Sequence, residues 1–127
     1  MTGEGITQMY ENGAVWVYVS GPYSSPDPVA NTHAAVKVAT RLLDSGIVVP
    51  IVPHLTMFWH VITPRDYEKW LAYDLQVVEK CDAVYRLHGD SAGADREVSR
   101  AAQLGRKVFM DYDRLMQWAV KAVVGAA

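Results

Sequence analysis

Apolar residues fall along this chain in short runs separated by amphipathic stretches. Ala14 to Ser20 (AVWVYVS), Ile47 to Val52 (IVVPIV), Asp82 to Leu87 (DAVYRL) and Lys107 to Met110 (KVFM) are rich in β-branched and aromatic residues, which predicts strands buried in a sheet. Helical patterns lie between them. Asp27 suits an N-cap and Pro28 the first helical position, Ala34, Val38, Leu42 and Leu43 recur at helical spacing, and Gly46 stands where a glycine stops a helix. A second helix is expected from Thr63-Pro64 to Lys80, with Trp70, Leu71, Leu75 and Val78 on its apolar side. A third is expected from Ala94 to Leu104, closed by Gly105, and a last one from Tyr112 onward. The segment Pro53 to Ile62 (PHLTMFWHVI) follows neither period and is expected to be a loop or irregular turn over the sheet.

Alternating strands and helices, with nearly continuous apolar strands, predict a parallel sheet covered on both faces. The expected fold is a single-domain α/β, flavodoxin-like or Rossmann-like three-layer sandwich with about four to five strands, spanning 14–127 after a flexible lead over 1–13. Ligands of such sheets bind beyond the carboxyl ends of the strands, where strand order reverses. If the first and third strands are neighbours, the loops Ser20–Ser25 and Gly89–Gly93 face each other across that crevice.

Composition narrows the picture. The chain has 127 residues, half of them hydrophobic, enough for one domain with a real core. A net charge of −2 with scattered Lys and Arg argues against a nucleic acid polymer as partner, while leaving room for a small anionic ligand. The single cysteine, Cys81, has an apolar neighbourhood and suits a buried thiol in a reducing, cytoplasmic setting. No apolar run approaches the ~18 residues needed to span a bilayer, so no membrane partner is expected.

The chemistry concentrates in Gly89-Asp90-Ser91-Ala92-Gly93-Ala94-Asp95-Arg96-Glu97, a glycine-containing loop that delivers Glu97 onto the expected first turn of a helix. A helix N-terminus with small residues favours a bound anion. Glu97 is equally the kind of acidic residue that any helix start favours, and Ser91 with Gly93 also suits a plain turn and cap. His54 and His60 lack further ligands at metal-binding spacing, so no metal or cofactor is expected.

Tyr18-Val-Ser-Gly21-Pro-Tyr-Ser24, Asp74-Leu with Cys81-Asp82 eight residues beyond that aspartate, and Asp-Ser91-Ala-Gly93-Ala-Asp-Arg-Glu97 followed by Ala101 and Gly105 form an ordered set over residues 15–109. The set resembles the nucleoside 2-deoxyribosyltransferase-like superfamily, which includes deoxyribosyltransferases and nucleoside 5′-monophosphate N-glycosidases. Within it the chain is most similar to short phage and bacterial members. The resemblance implies cleavage of an N-glycosidic bond, with Glu97 as nucleophile, Asp74 as the second acid group and Tyr18 orienting Glu97. It also implies a substrate site at Gly21, Pro22, Tyr23, Ser24, Ser91 and Gly93. The segment from His54 to His60 follows the second strand and so lies at the ligand end of the sheet, which makes His54, Phe58 and Trp59 candidates to meet the base. Serine six positions before Glu97, where nucleoside enzymes carry an acid, points to a 5′-monophosphate. Ser24 stands where those hydrolases can place an arginine, and Asp90 and Asp95 flank Ser91. Arg86, Arg96 or His33 are the candidates to compensate. The implied partner is a small nucleotide or nucleoside, acted on by a homodimer or larger homo-oligomer, for which the helix carrying Trp70 and Tyr73 is a candidate interface. A base-exchanging deoxyribosyltransferase and a non-catalytic nucleotide-binding module are the alternatives.

Overall fold

A computed structural model describes residues 13–125. The expected flexible lead falls, but for Gly13, outside the described residues. Four strands, β1 (Val15–Ser20), β2 (Val48–Ile51), β3 (Ala83–Arg86) and β4 (Lys107–Phe109), form one sheet in the order β2-β1-β3-β4. All three pairings are parallel, with Val17 opposite Ala83 and Ser20 opposite Arg86 across the β1–β3 seam. The helices are α1 (Pro28–Asp44), α2 (Met57–Ile62), α3 (Tyr67–Lys80), α4 (Ala92–Gln103) and α5 (Tyr112–Gly125), with a 3-10 turn over Pro53–Thr56.

Alternation along the strands divides the core into two layers. Val15, Val17, Val19 and Val48 pack with Ala35, Ala39 and Leu42 of α1 and Leu115 and Ala119 of α5. On the opposite face Tyr18 and Val84 pack with Val78 of α3, Cys81 and Ala101 of α4. The result is the expected three-layer α/β sandwich. Strand order reverses between β1 and β3, so the exit loops of these two central strands diverge and open a crevice at their carboxyl ends.

Local departures have local causes. Asp27 caps α1 by accepting from the Val29 and Ala30 amides, with Pro28 in the first turn. Its buried stripe, however, is Thr32, Ala35, Ala39 and Leu42, so Ala34 and Leu43 face outward. Pro53–Ile62 is a 3-10 turn running into α2 rather than an irregular loop. A helix this short and with no buried residue leaves no apolar stripe to be recognised. The α3 helix starts at Tyr67, after an Asp66 N-cap, and not at Thr63-Pro64. Thr63 precedes a proline, which disfavours helical backbone, and its φ of −134° and ψ of 83° lie outside the helical region. Among the described residues no helix is long and apolar enough to cross a membrane.

Candidate active site

Beyond the carboxyl ends of β1, β2 and β3 lies a cleft of about 520 Å³. Gly21 to Ser25 form one wall and Asp90 to Ala94 the other, with Pro53, His54, His60, Arg65, Tyr67, Trp70 and Asp74 around them and Glu97 at the base. The two glycine loops therefore face each other as the strand-order argument requires. At Gly21 the two exit loops pass so closely that a Cβ would stand 2.9 Å from the Leu87 Cβ.

Glu97 does not sit in the first turn of its helix. Ser91 is the N-cap of α4, its Oγ accepting from the Ala94 amide at 3.1 Å, so Glu97 lies six residues further on, past a full turn. The extra turn carries the carboxylate off the helix end and down onto the sheet, where the residue is 5% exposed. Two strand residues on one face of β1 meet it there, as the period of two dictates. Tyr18 donates its hydroxyl to Glu97 Oε2 at 2.5 Å, and Ser20 donates to Oε1 at 2.8 Å. Ser20 was legible in the sequence as the residue two beyond Tyr18, yet only the fold shows it bound to Glu97.

Burial raises the Glu97 pKa, while the hydroxyls of Tyr18 and Ser20 and the charge of Arg86 act the other way, because each favours the anion. Asp74, on α3, is pushed up to about 8, first by burial and then by the negative charge of Glu97. Its Oδ1 is buried without a hydrogen-bond partner. The cleft thus holds two carboxyl groups in different settings. One is held at both oxygens by hydroxyl donors. The other is bare and retains a proton at neutral pH. Burial, with Glu97 and Asp74 nearby, raises Tyr18 well above the ordinary tyrosine value, so its hydroxyl remains a donor.

The remaining expected residues separate into those that line the cleft and those that do not. Gly21, Pro22, Tyr23, Ser24, Ser91, Gly93 and His54 line it. His54 donates from Nε2 to the Pro22 carbonyl at 2.9 Å, with its ring edge-on to Tyr23 at 6.1 Å, so it fixes the first loop. Asn31 fixes the same loop by donating to the Tyr23 and Ser25 carbonyls, each at 2.9 Å. Phe58 and Trp59 do not line the cleft. Phe58 is 71% exposed on α2, and Trp59 stacks edge-on against Trp70 and Tyr73. His60 accepts at Nδ1 from Trp70 Nε1, at 2.8 Å, and from the Arg65 amide.

Of the cations expected to compensate for Ser24, none lines the cleft. Arg96 pairs with Glu68 at 3.2 Å, His33 is exposed on α1, and Arg86 is buried beneath the second loop. Arg65 lines the cleft instead, together with Tyr67, whose hydroxyl oxygen would stand 2.6 Å from a Cβ on Gly93. Both were hidden in the sequence by the early helix start expected at Thr63.

Fold and cleft define a single-domain parallel α/β protein with a pair of carboxyl groups, Glu97 and Asp74, at its topological switch point. The chain belongs to the family described as Domain of unknown function (DUF7768), whose model matches residues 15–111. That span runs from the first residue of β1 through β4 and so includes both loops and all three of Tyr18, Asp74 and Glu97. No curated protein matches the chain.

Proposed function

We propose that the protein hydrolyses the N-glycosidic bond of a ribo- or deoxyribonucleoside 5′-monophosphate, releasing free base and sugar phosphate. The observation that carries this reading is the pair of carboxyl groups in one cleft, Glu97 held by Tyr18 and Ser20 and Asp74 bare with its pKa near 8. Two carboxyl groups driven into different protonation states are what glycosidic chemistry needs, one to meet the developing cation and one to give a proton to the leaving group.

In the first step the Glu97 carboxylate attacks C1′ as the C1′–N bond breaks, and the Asp74 proton passes to the departing base. A glycosyl ester with Glu97 results. Asp74, now ionised, then takes a proton from water as the water oxygen attacks C1′, which frees Glu97 and restores the Asp74 proton. Ser91 supports the phosphate assignment, because its hydroxyl proton is free while its oxygen accepts from Ala94, and no carboxylate stands at that position. Arg65 adds a positive charge to the same cleft. A cytoplasmic setting suits the buried, unpaired Cys81. A homodimer would cover the apolar side chains exposed at Phe58, Trp59, Val61 and Ile62.

The test is chromatographic detection of free base from ribo- and deoxyribonucleosides and their 5′-monophosphates, with and without a second base, with Glu97→Gln as control. Release from a monophosphate that the control lacks supports the reading. Release only when a second base is present converts it to a base-exchanging transferase, and no release from any member refutes it.

A further inference from the structure

Arg86 ends β3 and stands opposite Ser20 of β1 in the parallel register. Val84, two residues earlier, packs in the Tyr18 layer, so Arg86 and Ser20 emerge on the same side of the sheet as α4. The arginine is 9% exposed and does not line the cleft. Its guanidinium is taken up by protein acceptors. It donates to the Leu87 carbonyl, to the Gly89 carbonyl at 2.9 Å and to Asp95 Oδ1 at 3.3 Å. The first two bonds pin the loop that leads to Ser91. The third ties β3 to α4 two residues before Glu97.

A guanidinium so occupied has little left to offer a ligand, but its charge remains. Asp95, 74% exposed at its side chain and therefore well hydrated, neutralises that charge only in part. The groups around Glu97 are Tyr18 and Ser20 from β1, Asp74 from α3 and Arg86 from β3, with Asp95 on α4 itself. Arg86 is the cation among them.

We infer that Arg86 is a positioning residue, a buried cation outside the cleft that fixes the second glycine loop and, through it and through its charge, favours the anionic form of Glu97. The inference deepens the reading of Glu97 as nucleophile and rests on it for its catalytic meaning. Arg86 does lower the Glu97 pKa against the rise that burial causes. The buried arginine thus does for the anion what a phosphate-binding arginine would do for a ligand.

The test needs no substrate. The carboxyl carbon of Glu97, assigned by its loss in Glu97→Gln, is followed by NMR against pH in the wild type, Arg86→Gln, Arg86→Met and Arg86→Lys. Arg86→Gln should raise the Glu97 midpoint by on the order of one pH unit, and Arg86→Lys, which keeps the charge, should stay near the wild type. An unchanged midpoint in folded Arg86→Gln overturns the inference. Should Arg86→Gln not fold, Arg86→Met, which keeps the buried aliphatic stem without the charge, decides. A raised Glu97 midpoint then supports the inference and an unchanged one overturns it. Absence of base release by the wild type would refute the glycosidase reading without touching this result.

Discussion

Tyr18 and Glu97, separated by 79 positions in sequence, share a buried 2.5 Å hydrogen bond that joins the central strand to α4. The bond has two effects. It spends a buried hydroxyl on a buried carboxylate, so neither group is orphaned, and it favours the ionised form of the glutamate.

Tyr18→Phe should separate these effects. Without the phenolic donor the Glu97 pKa rises further, so the acid limb of kcat/KM moves to higher pH. A hydrogen bond to a charged group contributes about 1.5–3 kcal/mol, and urea denaturation should show a loss of that order. A variant with an unmoved acid limb would show that Tyr18 only fills the core.

Asp74 sets the opposite limb. Its folded-state pKa of about 8 lies above the ordinary value of 3.8, so between those values the folded protein keeps a proton that the unfolded chain has released. Stability contributed by this group is therefore present at low pH and is lost as pH rises through that window. The slope is at most about 1.4 kcal/mol per pH unit for one proton. Denaturation from pH 5 to 8 should show a shallower decline in Asp74→Asn than in the wild type. In base release, activity should fall above about pH 8 as the acid ionises, and Asp74→Asn should lower kcat by about 10²–10⁴-fold.

Much of this site was legible before the fold. The strand runs around Tyr18 and Val84, the Asp27-Pro28 helix start and the two glycine loops are local patterns, and local patterns survive in sequence. What was hidden depends on the third dimension. Ser20 and Arg86 become partners of one carboxylate only because β1 and β3 are neighbours in register. Glu97 is buried because α4 begins at Ala92, two residues before the periodicity suggests. Phe58 and Trp59 read as base-stacking residues from their place after β2, but α2 turns them outward and away from the cleft.

Ser91 allows substrate choice to be tested without disturbing the helix it caps. Aspartate is as good an N-cap as serine, so Ser91→Asp should keep its melting temperature while adding a negative charge to the cleft wall. The ratio of monophosphate to nucleoside turnover should fall by at least about tenfold, the factor that corresponds to roughly 1.4 kcal/mol of repulsion. An unchanged ratio would place the phosphate elsewhere.

Two glycines on facing walls should respond in opposite ways to the same added methyl group. A Cβ at Gly21 would meet the Leu87 Cβ at 2.9 Å, an atom fixed by its own backbone, so the β1 and β3 exits must separate. Gly21→Ala is expected to destabilise by about 1–3 kcal/mol through overpacking. At Gly93 the obstacle is the Tyr67 hydroxyl, the far end of a side chain that is more than half exposed and able to swing aside. Alanine in a helix is favoured over glycine by up to about 1 kcal/mol, so Gly93→Ala should keep or raise the melting temperature while moving Tyr67 from its place in the cleft wall, seen as a higher KM. Tyr67→Phe removes the clashing oxygen and should reduce the KM penalty of Gly93→Ala in the double variant. Equal losses of stability for Gly21→Ala and Gly93→Ala would mean that Tyr67 is held as rigidly as Leu87 and that the α3–α4 wall of the cleft is as stiff as its strands.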